Sequence, residues 1–464
     1  MLAENRLTGT IPSELGNLNK LTFLGLQSNR LVGPLPTEMG DMESLARFDA
    51  NTNRIGGPIP SQIGMLSTLN YFVMLYNQLS GKLPTELGFL ESMQTFILGS
   101  NALTGTIPTE FGKMTNLNIL WLATNQLSGP IPNFFGSMQS LMWLHLGYNQ
   151  LTGKIPSSFA SLPATLQRVR LEHNRLTGEI PSDVIVSWRN LNELRLSDNL
   201  LVGELPTELG LMSNLASFQA ANNEFRGPIP TGLFDLPLLS VLHLDSNRLT
   251  GEIGTEVGRL TNLSVLRLHN NSFVGPLPTE IGLLSNLVYL DLGNNNFSGT
   301  LPTEIALLTD LKYLRLNGNQ LEGPIPSQLS ELANLEELDM TDNQFDATSV
   351  QQVMVTLGLE FTCNETAVEV LLQTDNTPGD VFWQLQTNNG TVVAEGTPEP
   401  AVQYFDQRTR LCVPADACSF IFGDRWNNGG TLATITRLGN VYTVGEESFP
   451  GGSYENMLSV NICE

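Results

Sequence analysis

The sequence predicts an α/β repeat protein: a solenoid of stacked coils with a long parallel β-sheet, followed by a small all-β domain. Three observations carry this reading. Sixteen residues such as Leu311–Pro326, LKYLRLNGNQLEGPIP, return every 24 or 25 positions from the N-terminus to about residue 345. All four cysteines fall in the last 102 residues. From about residue 360 the repeat gives way to short alternating segments separated by Asn, Gly and Pro. Stacked repeats bury their apolar faces only against their neighbours, which lets 464 residues fold without one oversized core.

The repeating unit reads LxxLxLxxNxLxGxIPxxLGxLxx, and each landmark has a physical duty. The alternating Leu residues of LxxLxL have the period of a strand with one buried face, so they belong to a parallel sheet whose x positions meet water. The Asn recurs from Asn5 and Asn29 through Asn295, Asn319 and Asn343. At a corner its amide can both donate to and accept from backbone groups that the turn leaves unpaired. The Gly of LxG permits a positive φ or a close approach, and the Pro of IP fixes φ and stops the sheet. The following SELG or TELG reads as a short helical turn, with Ser or Thr as cap, Glu at the positive end and Gly closing it.

This unit resembles the plant-type leucine-rich repeat, whose LxGxIP half marks the subclass, and the resemblance covers about three quarters of the chain. It implies a right-handed leucine-rich repeat solenoid with a parallel concave sheet over residues 1–345. The departures are local: repeats opened by Leu141 and Leu166 have 25 residues, Gly254 replaces the IP proline, and Ala306 and Ser330 replace the turn glycine. Met1 and Leu2 already fall at strand positions, so the expectation is an N-terminally truncated array that lacks its cap and export signal.

Beyond the last repeat, Thr348 is the expected N-cap of SVQQVMVTL, whose Val350, Val353, Met354 and Leu357 form one apolar stripe. Residues 346–359 are therefore expected to be a capping helix. Residues 360–464 read as a compact β-sandwich, and TDNTPGDVFW, CVPADACSFIFGD and the closing NIC resemble a disulfide-bearing module of secreted algal and bacterial proteins. Four cysteines allow three connectivities. Cys412 with Cys418, closing a short loop, and Cys363 with Cys463, tying the ends together, is the favoured pair in an oxidising compartment. Sequons at Asn262, Asn270, Asn296, Asn364 and Asn389 accord with secretion. Asp424 alone in the turn after CSFIFG reads as solvated rather than as a Ca²⁺ ligand.

The formal charge of −23 argues against nucleic acid or anionic lipid as a main partner. No apolar run is long enough to span a membrane. No phosphate loop, nucleophile elbow, HExxH or kinase signature is present, so no enzyme, metal or cofactor is expected. The regular Glu residues, such as Glu86, Glu110 and Glu280, read as solvated turn starts rather than a cation surface. The Ser/Thr series after the landmark Leu is interrupted by Val32, Gly56, Val202 and Arg226 and reads as hydrated edge residues rather than an ice-binding ladder.

The exposed strand positions are where function is expected. Parallel strands lie about 4.8 Å apart, so equivalent positions form columns across the sheet. One column contains Trp121, His145, Arg170, Arg195, His243, Arg267 and Arg315; the column before it contains Tyr71, Trp143, Arg168, Tyr289 and Tyr313. Aromatic and Arg side chains with no structural duty on a solvated face are the material of a recognition surface. Arg168 and Arg170 resemble the paired RxR with which some plant repeat receptors hold a peptide's terminal carboxylate, with Glu172 and Glu193 as alternative ion-pair partners. His243, Asp245 and His269 are expected to be neighbours, read as surface residues rather than a metal or pH-sensitive site. The sequence thus points to a non-enzymatic extracellular protein that binds a protein or peptide ligand, as in a receptor or receptor-like protein. The alternative is a secreted adhesive, structural or wall-enzyme-inhibitor protein whose β-sandwich binds cell-wall glycan.

Overall fold

The computed structural model describes residues 2–346 continuously, residues 349, 350, 353, 356 and 357 beyond them, and the backbone of strands between residues 367 and 461. The chain divides into two compact units, Met1–Leu359 and Glu360–Glu464.

In the first unit every coil repeats one path. A three-residue strand such as Tyr313–Arg315 is followed by the Asn corner, a second strand such as Gln320–Gly323, and a 3₁₀ turn such as Ser327–Glu331. The LxL strands join into a 14-stranded parallel sheet from Phe23–Gly25 to Glu337–Asp339. This is the concave sheet of a leucine-rich repeat solenoid. Where the sequence leads one to expect a single sheet, the LxG segments form another parallel sheet of 15 strands. Its existence follows from the glycine: Gly33, Gly57 and their equivalents adopt φ of 75–90°, a conformation that lets the chain leave the ladder immediately after pairing with both neighbours.

The core between the sheets and the turns is continuous. In one coil Leu311, Leu314, Leu316, Leu321, Ile325, Leu329 and Leu332 are all buried, each removing apolar surface worth roughly 1.5–3 kcal/mol before entropic costs. Phe48, Phe72 and Phe96 stack in register at 5.5 and 5.7 Å, and buried Trp188 lies 5.9 Å from Phe159 while its indole N–H donates to the Phe159 carbonyl.

The Asn ladder locks successive coils together. Asn295 Nδ2 donates to the carbonyls of Leu292 (3.1 Å) and Gly293 (3.1 Å) in its own coil and of Leu268 (3.0 Å) in the previous one, while its Oδ1 accepts the Phe273 amide at 3.0 Å. The same set recurs at Asn53, Asn125, Asn199 and Asn319. The residue before each Asn is left-handed, including Ser100 (φ 52°), Tyr148 (φ 54°) and His173 (φ 51°). The repeat pattern marks that position only as x, so this strain is not visible in it.

Two expectations about the turns are corrected. The N-cap is the proline of IP, and neither Ser nor Thr caps the turn. The Thr hydroxyl instead meets the adjacent carboxylate, as in Thr37 with Glu38 at 3.0 Å. The turn glycine serves the approach of neighbouring coils: a Cβ on Gly282 would meet the Glu304 carbonyl oxygen within 2.3 Å. The extra residue of the repeat opened by Leu166 is accommodated by a true α-helical turn, Ser182–Ser187. Gly254 takes the extended conformation (φ −72°) that proline has elsewhere.

At the array's end Gln344–Phe345 closes the second sheet, and Asp346 accepts the Ser349 amide at 2.9 Å through its carboxylate and the Val350 amide at 3.1 Å through its carbonyl. That is an N-cap pattern at Asp346; Thr348 lies outside the described residues. Ser349 Oγ accepts the Ile325 amide, and Val353 is buried in the core. In the second unit two antiparallel four-stranded sheets are described, one ordered 405–412, 367–374, 432–437, 440–444 and the other 392–396, 381–387, 417–424, 457–461. Its cysteine side chains, Asn364 and Asn389 lie outside the described residues.

Replacing Asn295 with Ala orphans a buried amide and the carbonyls it serves, at about 1–3 kcal/mol for such a group. Urea unfolding of Asn295→Ala should show at least that loss, with hydrogen exchange fastest around residues 268–273; an unchanged midpoint would remove the ladder's assigned role.

Candidate ligand-recognition face

The register of the first sheet sets which side chains meet. Trp121 pairs with His145, His145 with Arg170, Arg170 with Arg195, His243 with Arg267, and Asp291 with Arg315. In the neighbouring column Trp143 pairs with Arg168, Arg168 with Glu193, and Tyr289 with Tyr313.

Around the middle coils three guanidiniums share one carboxylate. Glu193, with a side chain 12% exposed, lies 2.9 Å from Arg170, 2.5 Å from Arg195 and 3.8 Å from Arg168. Burial opposes its ionisation, but the Arg170 hydrogen bond and the charges of Arg170 and Arg195 prevail and hold it below its ordinary value. Glu172 is a second carboxyl in this neighbourhood: burial raises its pKa against the charges of Arg195 and Arg170, and its Oε2 is buried without a hydrogen-bond partner. Arg168 keeps 41% of its side chain exposed and stacks over Trp143 at 4.6 Å. Glycines make room for these groups. Trp121 leans over Gly99, where a Cβ would meet its indole nitrogen at 2.8 Å, and the Glu172 carboxyl covers Gly147.

His145 departs from expectation. It is only 2% exposed, edge-on to Trp121 at 4.8 Å and parallel to Trp143 at 6.2 Å, with neither ring nitrogen hydrogen-bonded. Burial, with Arg170 beside it, pushes its pKa down to about 4. It supports the two indoles from below rather than facing solvent. His243 is likewise pushed down to about 4 by burial and Arg267.

Towards the C-terminal end, Arg267 lies 4.4 Å over Tyr289, which stands 5.4 Å from Tyr313. Arg315 binds Glu337 through two contacts, at 2.6 and 3.1 Å. His269 is flanked by Asp245 (3.5 Å) and Asp291 (3.2 Å), so the expected His243, Asp245 and His269 neighbourhood is centred on His269 with Asp291 as its further partner. Among the described residues no group of three or more His, Cys, Asp or Glu is arranged to hold a metal. Nearer the N-terminus Arg47 sits 4.5 Å over Tyr71 and 5.6 Å over Phe23.

Residues 217–359 match the leucine-rich repeat region family, and residues 115–176 and 190–212 match two further leucine-rich repeat families. A leucine-rich repeat protein of Leptospira interrogans is 33% identical over 76% of this chain and 80% of its own, with a TM-score of 0.59. The chain is a leucine-rich repeat protein. Similar solved structures include the ectodomain of the Arabidopsis receptor kinase HAESA with an IDA peptide hormone ligand, 33% identical over 74% of this chain and 65% of its own at a TM-score of 0.66. The ectodomain of the Arabidopsis thaliana receptor kinase GASSHO1/SCHENGEN3, with CASPARIAN STRIP INTEGRITY FACTOR 2, is 34% identical over 75% of this chain and 48% of its own at a TM-score of 0.56. This repeat protein thus spans about half of one receptor ectodomain and just under two thirds of the other. No curated protein matches it.

On the repeat face, Tyr71, Trp121, Trp143, Arg168, Arg170, Arg195, His243, Arg267, Tyr289, Tyr313 and Arg315 are all partly exposed. Arg47 went unnoticed in the sequence although it occupies the Tyr71 column; an isolated Arg between Phe23 and Tyr71 gains meaning only once strand pairing makes a three-layer stack. Asn262, Asn270 and Asn296 are exposed, as a glycosylated side chain must be. No helix among the described residues is long and apolar enough to cross a membrane.

The depressed histidines predict acid sensitivity. The unfolded chain takes up their protons near pH 6.5 and the folded chain near pH 4, so stability falls as pH drops through that interval, by up to about 3 kcal/mol per histidine. Urea titrations from pH 7 to 4 should show a shallower loss for His145→Gln than for the parent; parallel curves would contradict the burial of His145.

Proposed function

We propose that this chain is an extracellular recognition module that binds a peptide or protein ligand on its first sheet, as in a receptor or receptor-like protein. The observation that carries the proposal is the cluster of Arg168, Arg170 and Arg195 around the single carboxylate of Glu193, beside Trp121 and Trp143. In a chain of net charge −23, guanidiniums that outnumber their carboxylates beside partly exposed indoles fit a ligand bearing an anionic group and apolar contacts. The likeness to two receptor kinase ectodomains, one of them holding a peptide hormone ligand, supports the same reading and an extracellular setting. The face offers binding groups rather than an acid, base and nucleophile in register, so its chemistry is that of association.

The ligand contacts we assign are Tyr71, Trp121, Trp143, Arg168, Arg170, Arg195, His243, Arg267, Tyr289, Tyr313 and Arg315, with His145 as a buried support. The immobilised chain, panned against displayed random peptides, should enrich sequences with an acidic residue or a free C-terminal carboxylate. Affinity for enriched peptides should fall at least about thirtyfold in a variant carrying Arg168→Ala, Arg170→Ala and Arg195→Ala, and comparably in Trp121→Ala with Trp143→Ala. Circular dichroism controls for folding, and equal binding by the folded variants would sink the assignment.

A further inference from the structure

We infer that His269 is a proton sensor built into the C-terminal half of the face: charged, it ties its own coil to the coils before and after it; neutral, it lets one of those ties go. Hydrogen count decides which contacts each protonation state can make. His269 Nε2 lies 3.5 Å from Asp245 Oδ2 of the preceding coil, and Nδ1 lies 3.2 Å from Asp291 Oδ2 of the following one; both are ion-pair approaches rather than aligned hydrogen bonds, and Nδ1 is buried with no other partner. A neutral imidazole carries one N–H and can serve one carboxylate, whereas the imidazolium carries two and matches both. Both carboxylates are deeply placed, with side-chain exposures of 11% and 6%.

The surrounding charges leave the proton as the natural counter-charge. Arg267, on His269's own coil, is drawn over the Tyr289 ring. Arg315, from the following coil, reaches Asp291 only at 3.8 Å and is engaged by Glu337. His243, from the preceding coil, is held neutral near pH 7 by burial and Arg267. Asp245 Oδ1 is buried without a hydrogen-bond partner, and burial raises that carboxyl's pKa despite His269 nearby. Asp291, by contrast, stays below its ordinary value: burial opposes ionisation, but the contact with His269 and its charge outweigh it. For His269 itself burial disfavours charge, yet Asp291 and then Asp245 outweigh it and raise the imidazole above its ordinary value.

The direction of the pH effect follows. A raised histidine contributes its full stabilisation below the unfolded value near 6.5 and loses it as pH climbs through the folded value. His145, His173 and His243 are all shifted the other way, so their changes fall below 6.5. The interval above 6.5 therefore isolates His269 among the histidines. If the recognition reading holds, ligand grip by Arg267, Tyr289 and Arg315 inherits this dependence.

The test uses the full chain and no ligand, so its failure would leave the peptide-binding reading standing, and failure of that reading would leave this one standing. In an NMR titration of the histidine rings, one resonance should titrate above pH 6.5, vanish in His269→Gln and move down in Asp291→Asn. In urea unfolding from pH 6.5 to 8.5, the folding equilibrium constant should fall by about tenfold for each pH unit by which His269 exceeds 6.5. That loss should disappear in His269→Gln and shrink in Asp245→Asn, which keeps Asp291 in place should the first variant fold poorly. A His269 resonance titrating at or below 6.5, or a variant with the parent's pH slope, overturns the inference.

Discussion

The structure depends on the hydrogen-bonded asparagine at each corner. One side chain satisfies carbonyls in two successive coils and an amide in the earlier one, so it fixes spacing and register together. Without it the tight corner would bury unpaired backbone groups at each of the array's turns, a cost that apolar packing could not selectively offset. Because the corner recurs at the same depth, equivalent strand residues fall opposite one another across the sheet, and a column in sequence becomes a surface in space. The face we propose for recognition is therefore a by-product of corner geometry, furnished by whatever occupies the x positions.

That geometry places charge in an unusual way. The chain is strongly acidic, yet on the first sheet three arginines gather around Glu193, while a single one, Arg315, lies between Asp291 and Glu337. The two regions differ in kind. Around Glu193 positive charge exceeds negative and meets indole rings, which suits an anionic partner. Around His269 two buried carboxylates flank an imidazole, and the balance is set by a proton. On the proposed reading, such a surface would hold a ligand at its fixed region and adjust that hold at its titratable one.

Glycine contributes to the face in a way distinct from its role in the turns. Gly99 and Gly147 follow landmark Leu residues just beyond the strands, where a Cβ would collide with Trp121 or Glu172 from the next coil. The absent side chain lets a large neighbour lie flat across the sheet. His145 completes the arrangement: excluded from water, it keeps Trp121 and Trp143 apart at ring-contact distances. An aromatic pair held in this way loses little freedom on binding, which favours affinity.

The sequence by itself determined the repeat, the strand with its buried Leu face, the corner Asn and the columns, because these follow from periodicity and from the hydrogen-bonding capacity of single residues. Trp121, Arg168, Arg170 and Arg195 could be singled out for the same reason: a polar or aromatic side chain at a solvated strand position has no local duty. Only the tertiary structure decided the second sheet, since the positive φ of the LxG glycine becomes a ladder only when another coil lies beside it. It also decided that Thr37 contacts Glu38 rather than capping its turn, and that Gly282 answers to Glu304 of the next coil. Exposure was beyond the sequence too: Trp121 and His145 share one column, yet the ring that lies uppermost is settled by packing between coils. The same holds for His269, whose two nitrogens meet carboxylates 24 and 22 residues away in the chain, on opposite sides of it in space.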